Sequence, residues 1–316
     1  MDCLGGEPVN YSFIDKWLLI FIAATMVLFI VGPLIYTNQL FFFTLMIYTI
    51  LALAFNVIYG YTGYLPFGYT AFFGMGAYGF AIGIHLGIGI FPSILLAVAI
   101  TVLLALLFSP MFRLRGAYFA IANLAGFEAV YYIIENNYMR PITGGPYGVS
   151  IPQVFNPTLT YYIALAMLAL IILINGYLEK SDLGLALRAI GNNPVTAYLA
   201  GINVPLTRNI AWLISAAFAG VAGALYGWYI AFFYPESVLS LTTSLFIIAF
   251  TIFGGAGTLM GPVIGTWLLY SVYDTIGISY PTYFTLIYGL LIVIFILVLP
   301  NGLVKLIEKY LKIKIR

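Results

Sequence analysis

EKSDLGLALRAIGNNPVTAYLAGINVPLTR, running from Glu179 to Arg208, is a polar interruption between two blocks of membrane-length apolar sequence. Its own pattern is that of folded chain. Ser181 or Asp182 is suited to cap a helix in which Leu183, Ala186, Leu187 and Ile190 recur at i, i+3, i+4 and i+7, the period of a one-sided apolar face. Gly191 is the expected stop of that helix. A second helix reads from Asn193 as N-cap and Pro194 at the first helical position to Gly201 just past its end, with Val195, Tyr198 and Leu199 on one side. Three readings fit two capped amphipathic helices outside a bilayer: a surface where a partner docks, helices lying on lipid, or an ordered connector.

The flanking blocks define the class. Of 316 residues, 63% are hydrophobic and 7% are charged, and mean hydropathy is +1.08. Soluble domains carry roughly 25% charged residues, so the composition excludes one and predicts an all-α, polytopic helical membrane protein. Crossing ~30 Å of hydrocarbon takes roughly 20 apolar residues. Such spans are expected near Trp17 to Tyr36, Leu40 to Tyr59, Tyr69 to Gly89, Phe91 to Ser109, Ala117 to Glu135 and Leu159 to Leu178. Further spans are expected near Asn209 to Phe233, Leu241 to Gly255, Gly261 to Ile276 and Tyr283 to Leu299. The total is about ten transmembrane spans. A β-barrel would instead show short alternating segments.

Basic loops are retained on the cytoplasmic side. Under this span order Arg113, Arg115, Lys180, Arg188, Arg208, Lys305, Lys309, Lys312, Lys314 and Arg316 share one face, with Arg140 alone opposite. Both termini and the segment 179–208 are therefore expected in the cytoplasm. The net charge of +2 is spread as anchors beside the spans, which gives nucleic-acid binding no support. Cys3 is the only cysteine, so no internal disulfide forms.

Residues 1–316 read as a single transmembrane domain with 179–208 inside it and no attached soluble domain. Small residues at four-residue steps, as in Gly79, Gly83 and Gly87, or Gly223 and Gly227, or Gly257, Gly261 and Gly265, mark helix contacts. Two Gly-rich breaks, Gly60 to Gly68 and Gly254 to Pro262, make the spans discontinuous. Broken helices at membrane depth are tolerated only where protein or a watery cavity satisfies the freed backbone. Gly63, Tyr64 and Pro66 in the first break and Gly255 and Gly257 in the second are thus candidates for a translocation path.

The side-chain inventory argues against an enzyme. His85 is the only histidine, so neither a His-based metal cluster nor a His-based catalytic triad can be assembled; no catalytic residue, metal site or bound cofactor is expected. No Gly-x-x-x-x-Gly-Lys-Ser/Thr loop exists, so any ATP must be handled by a partner. Glu128 falls in mid-span, where a lipid-facing carboxylate costs ~2.5–3.5 kcal/mol on insertion scales. It therefore faces protein or water, either along the substrate path or in a hydrogen-bonded helix contact. Glu135, Arg140, Glu236 and Asp274 fall near outer helix ends and read as solvated. Thr143 to Gly148, TGGPYG, reads as tight turns with positive φ.

Several motifs in order resemble the branched-chain amino acid ABC transporter permease family, LivM-type subunit, from about Leu51 to Leu303. They include the first break followed by Ala71 to Tyr78 (AFFGMGAY), then Arg113 to Ile121 (RLRGAYFAI), Thr143 to Gly148, Leu183 to Ile190 (LGLALRAI) and Gly201 to Val204. Ala219 to Tyr226, Pro235 to Ser237, Gly254 to Pro262 and Pro300 to Leu303 complete the series. The resemblance implies an ATP-driven importer for branched-chain or related amino acids in the cell membrane of a prokaryote. In it this subunit pairs with a second homologous permease, two cytoplasmic ATPase subunits holding ATP and Mg, and an extracytoplasmic substrate-binding protein. It also implies that Leu183, Gly184, Leu187, Arg188, Asn192, Pro194, Tyr198 and Gly201 couple to the ATPases. Two departures lie near the expected path: Tyr64-Leu65-Pro66-Phe67 replaces a polar centre, and Ala125-Gly126-Phe127-Glu128 permutes a Phe-Gly-Glu pattern. Similar permeases also carry urea, short amides and other amino acids. The alternative is an ATPase-independent secondary transporter or channel, which would need ion-coupling carboxylates or a polar pore; Glu128 is nearly the sole intramembrane charge.

Overall fold

Hydrocarbon offers backbone N–H and C=O groups no water, so a chain of this composition satisfies them within helices. The computed structural model describes residues 11–35, 38–279, 289–290 and 302–304. It runs through α1 (Tyr11–Ile35), α2 (Gln39–Thr62), α3 (Thr70–His85), α4 (Ile90–Phe108), α5 (Ala117–Glu135), α6 (Arg140–Thr143) and α7 (Pro157–Lys180). It continues through α8 (Asp182–Asn192), α9 (Pro194–Leu199), α10 (Val204–Ile230), α11 (Pro235–Val238), α12 (Leu241–Gly254) and α13 (Met260–Ser279). A two-residue antiparallel ribbon, β1 (Val149–Ser150) against β2 (Phe232–Phe233), is the only sheet among the described residues.

Each expected span except Tyr283 to Leu299 coincides with a helix. That span apart from Gly289 and Leu290, together with Cys3, Pro300 and Asn301, and the cluster Lys305 to Arg316, lies outside the described residues. Six helical stretches among the described residues are long and apolar enough to cross a membrane by length and composition, against the ten expected: Gln39–Thr62, Ile90–Arg113, Ala117–Glu135, Pro157–Lys180, Val204–Ile230 and Pro235–Gly254. One reason for the smaller number is α3, whose 16 residues span about 24 Å at 1.5 Å per residue.

A helix apolar on every side belongs inside a bundle. That helix is α2, in which Phe43, Met46, Ile50, Leu51 and Phe55 are fully buried. Close approach around it follows the glycines. Gly79 and Gly83 admit Ala97 and Ser93 of α4, while Gly76 meets Gly220 and Gly223 meets the Phe73 carbonyl across the α3–α10 contact. Packing of backbone on backbone is how helices gain contact where lipid removes the hydrophobic drive. Gly87 departs from this scheme. Its φ of +73° and the open space around it make it a turn residue rather than a helix contact.

The bundle has two distinct ends. One gathers the termini of α2, α4 and α7, the starts of α5 and α10, and the pair α8–α9. The other carries His85, whose Nε2 lies 3.3 Å from the Ser150 carbonyl oxygen, the β ribbon, and the turn at Gly144, Gly145 and Gly148. Those three glycines have φ of 72°, 58° and 76°, as the TGGPYG pattern predicts.

Candidate functional site

At the α8–α9 end, Ser181 and not Asp182 is the cap: its Oγ accepts from the Gly184 N–H at 3.2 Å. The α8 helix passes through Gly191 to Asn192, one residue beyond the expected stop. Gly191 serves a contact instead. It lies against the Tyr61 carbonyl at the end of α2, where any Cβ would collide. What ends α8 is Asn193, extended at φ −156° and ψ 109°, whose Oδ1 accepts from the Val195 and Thr196 N–H groups at 2.9 and 3.2 Å. Gly201, at φ +87°, follows α9 after Ala200.

Burial divides the expected coupling residues. On α8, Leu187 and Ile190 are 0% and 2% exposed, and Gly184 is buried against the Leu178 carbonyl, so these residues brace the segment from inside. Leu183 is half-buried beside them. The apolar side expected for α9 faces outward: Val195, Tyr198 and Leu199 are 56%, 69% and 79% exposed, and Ala197 is the buried residue. Asn192 and Gly201 are exposed, and Pro194 is half-buried. Arg188 bridges the two settings, with Nη2 3.2 Å from Glu179 Oε1 and its guanidinium 5.3 Å from the centre of the Tyr61 ring.

Beneath this pair lies a cavity of about 740 Å³, walled by the first break, the start of α5 and the α8–α9 junction. Gly63 and Tyr64 line it, as does Pro194. Gly63 takes the left-handed conformation at φ +72°, and its N–H returns to the Tyr59 carbonyl at 2.8 Å, which closes α2. Tyr64 stands edge-on to Phe112 and Phe119, at centroid distances of 5.4 and 5.0 Å, and carries the Arg208 guanidinium 4.5 Å from its ring centre. Pro66 is buried behind this wall, and the Gly68 N–H is pinned to Asn123 Oδ1 of α5 at 2.7 Å. Ala117, Ile121 and Leu124 bring one face of α5 to the cavity. Glu128, seven residues past Ile121 and half-buried, continues that face away from the α8–α9 end.

Gly255 and Gly257 do not line the cavity. Gly257 packs on Gly60, so the two breaks meet, and Gly255 lies against Gly302 and Val304. Asn56, fully buried on α2, holds this junction with Oδ1 accepting from the Gly257 N–H at 2.8 Å and Nδ2 donating to the Thr258 carbonyl at 3.0 Å. Reasoning from sequence passed over Asn56, though a lone amide in an apolar run is its signal. Arg208 and Arg115 were visible only as topological anchors. Among the described residues no three His, Cys, Asp or Glu side chains gather to hold a metal ion.

The model of a family described as the permease component of branched-chain amino acid transport systems matches residues 39–296. A high-affinity branched-chain amino acid transport permease, LivM of Escherichia coli, is 31% identical over 307 residues, covering 85% of this chain and 70% of that protein. The corresponding LivH permease of Salmonella typhimurium is 27% identical over 287 residues, 81% of this chain and 90% of that protein. A guanosine ABC transporter permease, NupQ of Bacillus subtilis, is 35% identical over 80 residues, 25% of each chain. No solved structure matches.

Proposed function

The chain belongs to the branched-chain amino acid transport permease family and is of the LivM type, and from that premise we propose that it is the permease subunit of an ATP-driven importer of branched-chain or related amino acids. The observation that carries the coupling role is the outward apolar face of α9, Val195, Tyr198 and Leu199, set at the end of the bundle beside the cavity. An exposed apolar patch on a capped helix fits a protein partner, and a chain without a P-loop has to draw on ATP through one.

In this reading residues 1–316 form one permease domain in a prokaryotic cell membrane, with 179–208 as the coupling segment and both termini on its cytoplasmic side. The partners are two ATPases carrying ATP and Mg, a second related permease, and an external substrate-binding protein. Similarity to both LivM and LivH proteins supports a pairing of related permeases. Closure of the ATPases pushes on α9; the α8 brace of Gly184, Leu187 and Arg188 carries the displacement to the end of α2, and the path beside Gly63, Tyr64, Pro66 and Glu128 changes its access. Gly257 acts on that path through its contact with Gly60, and Gly255 belongs to the same break.

The test is uptake into proteoliposomes that contain the chain with its co-purifying subunits and the external binding protein. Leucine, isoleucine or valine should enter only with ATP inside, and guanosine or urea should not compete. Uptake by the chain alone without ATP would establish the secondary-transporter alternative instead.

A further inference from the structure

Among the described residues, the cavity below α8 and α9 is lined by cations and by no counter-charge. Arg115 and Arg208 line it, and no described carboxylate does. Arg208 is 8% exposed, and its Nε has no hydrogen-bond partner. Its guanidinium rests on Tyr64, a cation–π contact that offsets only part of what it costs to bury a charge without a counter-ion. The arrangement is therefore short of an anion. Positive potential comes from a further source on the same wall. The α5 helix starts there at Gly116 and Ala117, and its N-cap is a glycine at φ +56° with no side chain to cover the first N–H groups. Tyr64 stands edge-on to both Phe112 and Phe119, which stack on each other at 5.2 Å, so the Arg208 resting on it is held in place before any ligand arrives.

Apart from Tyr59 and Thr62, the remaining side chains of the wall are apolar, with Leu65, Phe67, Ile121, Leu124 and Ile190. A bare inorganic ion would leave that surface unused. We propose that the cavity binds a small carboxylate with an aliphatic side chain, its carboxylate between Arg208, Arg115 and the first turn of α5. The guanidinium fork suits a carboxylate, since two parallel N–H···O bonds fix both charge and orientation. The choice of an amino acid as the natural occupant rests on the transport function proposed above. What is added is a place for it on the α8–α9 side, in a cavity whose wall includes Ile190, Gly191 and Pro194 of the coupling segment. Occupancy is thereby in contact with the element that meets the ATPases. A lipid headgroup offers similar anionic chemistry, and the experiment separates the two.

The experiment uses the full chain with its co-purifying subunits in nanodiscs of zwitterionic lipid, without the external binding protein, and measures binding of radiolabelled L-leucine. Saturable binding is expected, displaced by isocaproate, which keeps the carboxylate and loses the amine, and not by leucinol, which does the reverse. Arg208→Gln should weaken it by at least about tenfold, the loss of a charge-assisted hydrogen bond. Arg140→Gln, at the other end of the bundle, should leave it unchanged. Arg115→Gln gives an independent reading if the Arg208 variant does not assemble. Unchanged leucine binding in both cavity variants, equal competition by leucinol, or loss of binding on adding phosphatidylglycerol would each overturn the proposal, the last by assigning the site to lipid. ATP-driven leucine uptake with no leucine or isocaproate binding would overturn this inference and leave the transport function standing. Isocaproate binding sensitive to Arg208→Gln, with no amino-acid uptake, would support the site and overturn the transport function.

Discussion

Asn56 and Gly257, 201 positions apart in the chain, are joined by a 2.8 Å hydrogen bond from the Gly257 N–H to the Asn56 side-chain oxygen. The same amide donates to the Thr258 carbonyl at 3.0 Å. A single buried side chain thus satisfies both a donor and an acceptor that the second break would otherwise leave bare in an apolar bundle.

Replacing Asn56 with leucine keeps the branched outline of the side chain and removes both bonds. Each buried group left unpaired costs about 1–3 kcal/mol, so Asn56→Leu should lose stability by roughly 2–6 kcal/mol. Denaturation in detergent followed by tryptophan fluorescence measures this. Asn56→Asp, held as the neutral acid at this fully buried position, keeps the acceptor and can donate to the Thr258 carbonyl, and should fall between; a leucine variant with the wild-type midpoint would show that the break is held some other way.

Leu187 and Leu199 should separate stability from coupling. Leu187 is 0% exposed in the core and Leu199 is 79% exposed on α9. Leu187→Ala should cost about 2–5 kcal/mol through the cavity it leaves. Leu199→Ser should change stability by no more than about 0.5 kcal/mol, while lowering amino acid taken up per ATP hydrolysed. A Leu199→Ser complex with the wild-type ratio would remove α9 from the coupling surface.

These two residues also mark how far the sequence can be read. Ser181, Asn193, Pro194 and Gly201 announce the ends of α8 and α9 because capping is local chemistry, settled within four residues. The inward face of α8 is legible for a similar reason, since its apolar residues repeat at helical spacing. Which side of α9 is buried is not legible. Its six residues are too few for a periodic stripe, and the answer depends on Ala197 fitting where Tyr198 cannot. Arg208 is misread for an opposite reason. An arginine immediately before an apolar span has the pattern of a headgroup anchor, and only the approach of Tyr64, from a break 144 positions earlier (208 − 64), encloses it. The meeting of Gly60 with Gly257 is likewise a tertiary fact that glycine spacing alone does not carry.

Arg188 and Glu179 offer a charge-swap test. Their 3.2 Å pair is partly exposed, with 37% and 16% of the side chains accessible, and such pairs contribute about 0–1 kcal/mol. Arg188→Glu should therefore barely shift stability, but it sets two carboxylates against each other at the α7–α8 corner and should reduce ATP-dependent uptake. Adding Glu179→Arg should restore much of it. Failure of the double variant to recover would mean that Arg188 acts through Tyr61, 5.3 Å away, and not through the ion pair.

Sidedness has a direct readout. In a Cys3→Ser background, Val195→Cys at the α8–α9 end and Tyr147→Cys at the other, at positions 56% and 69% exposed, should react with a membrane-impermeant maleimide from opposite sides. Labelling of Val195→Cys should require inside-out vesicles. Reaction of both from one side would reverse the topology on which the ATPase reading depends.

Gly191 gives the link between α8 and α2 a mechanical character. Its backbone bears directly on the Tyr61 carbonyl, with no side chain between them. A contact made through side chains yields by changing rotamers, so part of any push is dissipated as local slack. Two main chains in direct apposition have no such slack, and their joint has low compliance. A shift of α8 by a fraction of a helical turn must then reappear at the end of α2, beside Gly63 and Tyr64, nearly undiminished in size. Gly191→Ala would add a spacer at that joint, and its effect should be on the resting position of the pair more than on its stiffness.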